Sequence, residues 1–309
     1  MSESAFIDTL RAIATHPAAR DLIDDAAVLQ MGDGALVLTH DMIVEGVHYL
    51  PDDPPADVAW KLVAVNLSDL AAKGARPIGV LLGFTLGDEE WDRAFAVGLG
   101  AALAAFGIPL LGGDSVSAPS RVLGLTALGQ AAGPVPSRAG AAAGDALWVS
   151  GTIGDAGAGL KALRAGEDAP ALIERYRTPR PRLEAGQRLA PLVSAMMDVS
   201  DGLLIDTSRM AAASECGVEI ALDSVPRSPS FAGTATEAVT AGDDYELLFA
   251  LAPGRAAAVL ALAEEIGLPF TRIGRFVEGA GLTLTEKGLA VPLPGRLGYE
   301  HGRGNPSTG

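Results

Sequence analysis

Two blocks of alternating strand-like and helix-like segments, separated by one stretch poor in large apolar residues, constrain the fold of this chain most. The separating stretch covers residues 131–145 and reads AAGPVPSRAGAAAGD. Its Pro, Gly and Ala content is typical of a connection between domains. We therefore expect a two-domain α/β (α+β) protein, with domains over residues 1–135 and 136–301 and a flexible tail over residues 302–309.

Apolar spacing predicts the elements within each block. In the first block we expect helices over 4–15, 57–73 and 89–106 and strands over 35–41, 78–86 and 121–130. In the second we expect helices near 155–165, 181–193, 202–215 and 254–266 and strands near 146–151, 218–222, 246–251, 271–276 and 281–285. The helix over 57–73 is apolar over most of its circumference, which predicts that it is largely buried.

Charge and composition narrow the class of protein. The chain has 309 residues, 49% of them apolar, and a formal net charge of −15, which argues against nucleic acid as a partner. An acidic protein that handles phosphorylated substrates needs metal ions to bridge its carboxylates and the substrate phosphates. No apolar run has the length of a membrane span and the N-terminus does not read as a signal peptide, so we expect a cytoplasmic protein without membrane contact. Cys216 cannot form an intramolecular disulfide because it is the one cysteine, and we expect it to be a small buried packing residue.

Aspartates in short polar stretches beside apolar runs are the main chemical signal. The stretches are LIDDAAVL, VLTHDMIVEGVH, VNLSDLAAKGA, LLGGDSV, MMDVSDGL and TAGDDYELL, and their aspartates are Asp24, Asp25, Asp41, Asp69, Asp114, Asp198, Asp201 and Asp243. Mg²⁺ prefers oxygen ligands and is usually held by carboxylates together with substrate phosphates. Several such stretches brought together would bind a nucleotide through metal ions.

Each stretch of the first block also has a simpler interpretation. Asp24 and Asp25 are adjacent and their side chains point in different directions, so one of them enters a given site; taken alone, an N-cap or turn pair explains them better. Asp41 follows a strand, where α/β enzymes place ligands, whereas His48 is either a ligand contact or a half-buried packing residue. Asp69 either belongs to a site or forms a surface pair with Lys73, four residues later.

The remaining stretches are equally ambiguous one by one. Glycines before Asp114 allow the backbone to approach a phosphate, but GGD is common in turns. DVSD over 198–201 precedes a helix, so its backbone N–H groups could bind an anion, or Ser200 or Asp201 could cap the helix. AGDDYELL from Ala241 resembles a turn. Six such stretches across two domains favour a site.

Missing motifs exclude other classes. The chain has no G-x-x-x-x-G-K-[ST] phosphate loop and no G-x-S-x-G elbow, and four histidines leave little material for a zinc site. The segment GTIGDAGAGL over 151–160 partly matches a dinucleotide-binding loop, but no acid follows at a ribose-binding distance. We interpret it as a tight strand-to-helix turn.

In order along the chain, DDAAVL, THDMIVEGVHY, VNLSDLAAKGARP, LLGGD, SRAGAAAGDALWVSG, DVSDGL, GDDYEL and GYEH resemble the thiamine-monophosphate kinases, which belong to the superfamily of aminoimidazole-ribonucleotide synthetase. The resemblance covers about residues 20–300. It implies a two-domain fold whose N-terminal domains pair in a homodimer and close a barrel, with ATP in a cleft between domains. It also implies transfer of the ATP γ-phosphoryl group to thiamine monophosphate, giving thiamine diphosphate.

The resemblance also implies site residues, with catalysis by positioning and metal ions rather than by a catalytic side chain. The implied ligands of several Mg²⁺ ions are Asp25, Thr39, Asp41, Asp69, Asp114, Asp198 and Asp201. The implied nucleotide contacts are Gly113, Asp114, Arg138 and Ser200. The implied substrate contacts are His48, Asp243 and Tyr299. The chain departs from the family pattern at three positions. His40 stands where the family often has Thr, Asp243 where it usually has Glu, and Arg296 where it often has an aromatic residue.

Two alternatives stay open. The first is another ATP-dependent member of the superfamily with a different acceptor, although the position of Cys216 and the terminal NPSTG do not match a selenophosphate synthetase or a hydrogenase maturation protein. The second is a regulator that binds nucleotide and Mg²⁺ without turnover.

Overall fold

A computed structural model describes residues 3–11 and 13–301, so the predicted tail over 302–309 lies outside the described residues. The first half forms a five-stranded sheet in the order β1-β2-β5-β3-β4. Its strands are β1 (Ala27–Met31), β2 (Gly34–Val44), β3 (Arg76–Leu86), β4 (Leu110–Ser117) and β5 (Val122–Ala131). Its helices are α1 (Glu3–Arg11), α2 (Pro55–Ala72) and α3 (Glu89–Phe106).

The second half forms a seven-stranded sheet in the order β12-β11-β8-β10-β6-β9-β7. Its strands are β6 (Ala146–Ser150), β7 (Ala195–Asp198), β8 (Gly217–Ala221), β9 (Leu247–Leu251), β10 (Phe270–Val277), β11 (Gly281–Glu286) and β12 (Leu289–Val291). Its helices are α4 (Asp155–Ala165), α5 (Pro170–Arg177), α6 (Leu183–Leu189), α7 (Leu203–Ala213), α8 (Ala235–Thr240) and α9 (Ala256–Ile266). The α/β architecture with two sheets confirms the predicted fold class, while the exact domain bounds stay a prediction.

Among the α-helices and strands of the described residues, the sequence patterns did not predict β1, β4, α5, β7, α8 and β12. Strand β4 shows why, because its sequence LLGGDSVS has two glycines and an exposed side chain at every position. It is held by parallel pairing with β3, and such long-range pairing leaves no local period in the sequence.

Helix α2 lies between the two sheets. Its burial was predicted from its apolar circumference. It packs on β2 and β5 of the first sheet and on β7 and α6 of the second half. At the closest approach, a Cβ on Gly186 would lie 1.9 Å from the Ala71 carbonyl oxygen, so only glycine fits there. Every residue from Lys61 to Ala72 is buried. Polar side chains on α2 therefore face protein on all sides, between the two halves.

The face of the first sheet opposite α2 is partly exposed and apolar. Side chains alternate across a strand, so Met42 and Leu81 point away from the core to which Ile43 and Val80 contribute. Met42 is 51% exposed, Leu81 41% and Val116 on the edge strand 55%. Among the described residues, no helix is long and apolar enough to cross a membrane.

Cys216 is half-buried rather than buried, because it follows α7 at the rim of the second core. Its thiol donates to the Ala141 carbonyl oxygen at 3.5 Å and to the Ser214 carbonyl oxygen at 3.3 Å.

Candidate functional site

Three predicted metal ligands meet at the contact between the two halves. Asp25 precedes β1, Asp69 lies near the end of α2, and Asp198 ends β7. One carboxylate oxygen from each lies within 4.8 Å of the other two. The three come from positions 25, 69 and 198, so the fold of both halves is needed to assemble them. We call these three residues the acid cluster.

Hydroxyl and amide side chains orient the acid cluster. The Thr39 hydroxyl donates to the Asp69 carboxylate, and the Ser68 hydroxyl donates to Asp198 Oδ2 at 2.5 Å. Asn66 accepts a hydrogen bond from the backbone N–H of Asp41 at 2.9 Å. Thr39 and Asp41 share the face of β2 that points at α2, since they are two residues apart on a strand. His40 points to the other face and contacts the Thr126 hydroxyl at 2.9 Å, so the departure at position 40 lies away from the acids.

Burial and mutual repulsion make these acids hard to ionise together. Burial first, then the charges of Asp25 and Asp201, raise the pKa of Asp41 to about 6. Burial and neighbouring acids, led by Asp25, raise the pKa of Asp198 to about 8, and the pKa of Asp69 also lies well above its usual range. A divalent cation would relieve this repulsion. The donor set, carboxylates with the Thr39 hydroxyl, consists of the oxygen ligands that Mg²⁺ prefers.

Cations bind both carboxylate oxygens of Asp25. Lys73 is fully buried and pairs with Asp24 and with Asp25 Oδ2 at 2.7 Å, and Arg138 pairs with Asp25 Oδ1. Burial alone would raise the pKa of Asp25, but the charges of Arg138 and Lys73 outweigh it and hold the pKa well below its usual value. The alternative of a surface Asp69–Lys73 pair is therefore wrong: Lys73 is buried and pairs with Asp24 and Asp25 instead.

Arg138, a predicted nucleotide contact, is tied to the acid cluster through Asp25. Its backbone N–H donates to Asp24 at 3.3 Å, and its pKa is raised, because attraction by Asp25 outweighs burial. Among the described residues, its buried Nε has no hydrogen-bond partner. The guanidinium thus has an unused donor beside the acids, as an additional anionic ligand would require.

The loop after β7 is held by a carboxylate that the sequence patterns did not single out. Asp206 accepts the backbone N–H groups of Ser200 at 3.1 Å, Asp201 at 3.0 Å and Gly202 at 3.2 Å. These three N–H groups are therefore bound by Asp206 rather than open to an anion. The expectation of a side-chain cap is wrong, because neither Ser200 nor Asp201 caps α7 by its side chain. The Asp201 carboxylate pairs with Arg209 at 2.5 Å.

The turn at GTIGDAGAGL is likewise closed to a phosphate. Gly154 N donates to Asp244 Oδ2 at 2.8 Å and Ala156 N to Asp244 Oδ1 at 3.5 Å, where α4 begins. The interpretation as a tight strand-to-helix turn is confirmed.

The predicted substrate contacts form a second group of residues beside the acids. His48 Nδ1 accepts the Val44 N–H at 3.0 Å, and the His48 ring lies 5.3 Å from that of His301. The His301 ring in turn lies 4.8 Å from the Tyr299 ring. Asp243 binds Lys61 at 3.0 Å. Burial first, then the charge of His301, lowers the pKa of His48. Because Nδ1 accepts the Val44 N–H, a neutral His48 ring carries its proton on Nε2.

Asp243 and Tyr299 connect this group to the loop after β7. The Asp243 N–H donates to the Ser200 carbonyl oxygen at 2.7 Å, and the Tyr299 N–H donates to the Asp201 carbonyl oxygen at 2.9 Å. The sequence patterns did not single out Lys61, whose signal was a lysine inside the apolar run VAWKLVAV over 58–65, or His301, which stood in the GYEH motif.

Gly113 and Asp114 lie apart from the acid cluster. Asp114 on β4 pairs with Gly83 on β3, and β5 separates β3 from β2, which carries Asp41. Three strand spacings place Asp114 about 14 Å from Asp41 across the sheet. Gly113 and Asp114 line a cleft of about 730 Å³ between β4 and α3.

Family models match the two halves of the chain separately. The chain matches the family models of AIR synthase related proteins, the N-terminal domain over residues 23–131 and the C-terminal domain over 142–287. It is 44% identical to a thiamine-monophosphate kinase of Caulobacter vibrioides, over 93% of this chain and 86% of that protein.

Solved structures show the same fold. A thiamine-monophosphate kinase from Stenotrophomonas maltophilia is 39% identical with a TM-score of 0.78, covering 87% of this chain and 90% of that one. The structure of AaThiL complexed with AMPPCP and TMP is 28% identical with a TM-score of 0.85, covering 97% of both chains.

Proposed function

Because the chain belongs to the thiamine-monophosphate kinase family, as its motifs predicted, we propose that it transfers the γ-phosphoryl group of ATP to thiamine monophosphate. The acid cluster carries this proposal, since it offers three carboxylates within 4.8 Å at the contact between the two halves. The AaThiL structure, solved with AMPPCP and TMP, supports the choice of the two substrates.

The proposed metal ligands are those of the acid cluster together with Thr39, Asp41, Asp114 and Asp201. Bound Mg²⁺ would screen the charges of the two anionic reactants and of the transferred group. Six of these residues surround the contact between the halves, whereas Asp114 stands apart on β4. An extended nucleoside triphosphate is a ligand long enough to touch both places, with Gly113 and Asp114 at one end and Arg138 and Ser200 nearer the acids.

The proposed transfer needs positioning more than proton transfer. A phosphate oxygen of thiamine monophosphate attacks the γ-phosphorus in line, and ADP leaves. The attacking oxygen is already ionised at neutral pH, so no strong general base is required. Arg138 supplies fixed positive charge beside the acids, and His48, Asp243 and Tyr299 hold the acceptor.

We also propose a homodimer in which the five-stranded sheets pair and close a barrel. The partly exposed apolar face around Met42 and Leu81 and the exposed edge strand β4 support this pairing, because exposed strand edges and apolar patches favour association. A cytoplasmic location stays a prediction from the sequence.

The test is ADP release by the purified protein with Mg²⁺, ATP and thiamine monophosphate. We expect turnover that requires thiamine monophosphate and is lost in Asp69→Asn. Asp33→Asn, at an exposed turn position outside the cluster, is the matched control and should retain activity. ATP binding without turnover that depends on thiamine monophosphate would contradict the kinase function and favour a nucleotide-binding regulator or another acceptor.

A further inference from the structure

Lys61 is a buried lysine on α2 whose ammonium group lies where separate parts of the chain meet. Its side chain is 2% exposed. Its Nζ donates to the His48 carbonyl oxygen at 2.9 Å and to Asp243 Oδ2 at 3.0 Å, and it lies 3.8 Å from the centre of the Tyr176 ring. A buried ammonium normally needs hydrogen-bonding partners and a counter-charge, and Lys61 has both.

We propose that Lys61 is a positioning residue for the acceptor substrate, acting through Asp243 and the loop that carries His48. This inference rests on the proposed function, which assigns substrate contacts to His48 and Asp243. Lys61 lies on the first half of the chain and Asp243 on the second, 182 residues away, so their ion pair joins the two sides of the substrate group.

Asp243 is held at both carboxylate oxygens. Oδ2 accepts from Lys61, and Oδ1 accepts from the Tyr245 hydroxyl at 3.0 Å. The Asp243 backbone has φ of +69°, an uncommon value that aspartate tolerates better than most residues. The side chain is still 26% exposed, so a ligand can reach it. The ion pair thus fixes the direction in which an accessible carboxylate presents its charge.

The loop carrying His48 is fixed from the same place. The His48 carbonyl oxygen accepts from Lys61 and from the Tyr176 hydroxyl, the second at 3.3 Å. The His48 ring is held by the Val44 N–H on Nδ1, which leaves Nε2–H as a donor. Lys61 therefore sets the distance between a fixed carboxylate and a fixed imidazole donor. Such a pair suits a cationic heteroaromatic ring with hydrogen-bonding groups, the chemical class of thiamine phosphates.

The test is a steady-state analysis of the full chain with KM measured separately for thiamine monophosphate and ATP. For Lys61→Met we expect KM for thiamine monophosphate to rise roughly tenfold or more, the effect of losing one charge-assisted hydrogen bond, while KM for ATP stays within about twofold. Lys61→Arg, which keeps the charge, should recover part of the loss. Lys161→Met removes a lysine paired to Glu237 on the surface and should change neither KM.

A double variant separates positioning from general stability. Because Lys61 acts partly through Asp243, Lys61→Met combined with Asp243→Asn should raise KM for thiamine monophosphate by less than the product of the two single effects. Should Lys61→Met fail to fold, Tyr245→Phe removes the other donor to Asp243 and is expected to raise the same KM.

Three outcomes would overturn the positioning role. In Lys61→Met they are equal changes of both KM values or an unchanged KM for thiamine monophosphate. In the double variant it is a fully additive effect. A wild-type protein without turnover dependent on thiamine monophosphate would instead contradict the proposed function itself.

Discussion

Ser68 donates a hydrogen bond to Asp198 at 2.5 Å, and this contact joins α2 of the first half to β7 of the second across 130 residues of sequence. Asp198 is buried and shares the acid cluster with Asp69, the neighbour of Ser68. The same helix thus supplies one carboxylate of the cluster and orients another. The relative placement of the two halves therefore determines the geometry of the proposed metal site.

Removing that hydroxyl should weaken metal binding. Ser68→Ala leaves Asp198 free to rotate, and we expect the Mg²⁺ concentration for half-maximal activity to rise by roughly tenfold, the effect of about 1.5 kcal/mol. The measurement is a Mg²⁺ titration of ADP release. Ser230→Ala, on an exposed turn, is the control, and an unchanged titration curve in Ser68→Ala would argue against the orienting role of Ser68.

Without divalent cations, the stability of the protein should fall as the pH rises. Burial and neighbouring acids raise the pKa of Asp198 from 3.8 to about 8, and those of Asp69 and Asp41 also rise. Between a pH near 3.8 and a pH near 8, the folded protein binds more protons than the unfolded chain, so raising the pH favours unfolding. The lowered pKa values of Asp24 and Asp25 act below this window.

Thermal unfolding in a chelator at about pH 5.5 and about pH 8.5 checks this pH dependence. We expect a lower unfolding temperature at the higher pH, a smaller difference in Asp198→Asn, and a smaller difference again when Mg²⁺ is added. A higher unfolding temperature at the higher pH in chelator would show that the acids do not repel one another as the geometry indicates.

Asp206 should be essential for the loop that carries Ser200 and Asp201. Asp206→Ala leaves three buried or half-buried backbone N–H groups without their acceptor, and we expect a loss of about 2–4 kcal/mol in the free energy of unfolding. Denaturant unfolding measures it. Asp223→Ala, an exposed aspartate that accepts one backbone N–H from Lys287 at 3.1 Å, should lose less than about 1 kcal/mol. Equal losses in the two variants would refute the special role of Asp206.

The proposed dimer depends on the apolar face of the first sheet. Leu81→Asp places a charge on this face, and we expect the protein to change from a dimer to a monomer. Sedimentation equilibrium or light scattering measures the mass. Leu260→Asp on α9 changes a leucine of similar exposure, 47% against 41%, and should remain a dimer. A wild-type mass equal to that of one protomer would contradict the proposed pairing.

The sequence by itself determined the local features of this protein. Periodicity located most helices and strands, and the burial of α2 followed from its apolar circumference. Polar stretches beside apolar runs marked eight aspartates as candidates for one site, Asp25, Asp69 and Asp198 among them. These features are local because side-chain period and turn chemistry depend on neighbouring residues.

Only the tertiary structure decided which of these groups meet. It brought Asp25 rather than Asp24 into the acid cluster, turned Lys73 toward the two of them instead of toward Asp69, and left Asp114 on a distant edge strand. Such choices depend on contacts between segments more than a hundred residues apart, as in the pairing of Lys61 with Asp243. No short-range pattern encodes them, because they arise when α2 packs between two sheets and buried charges must find partners.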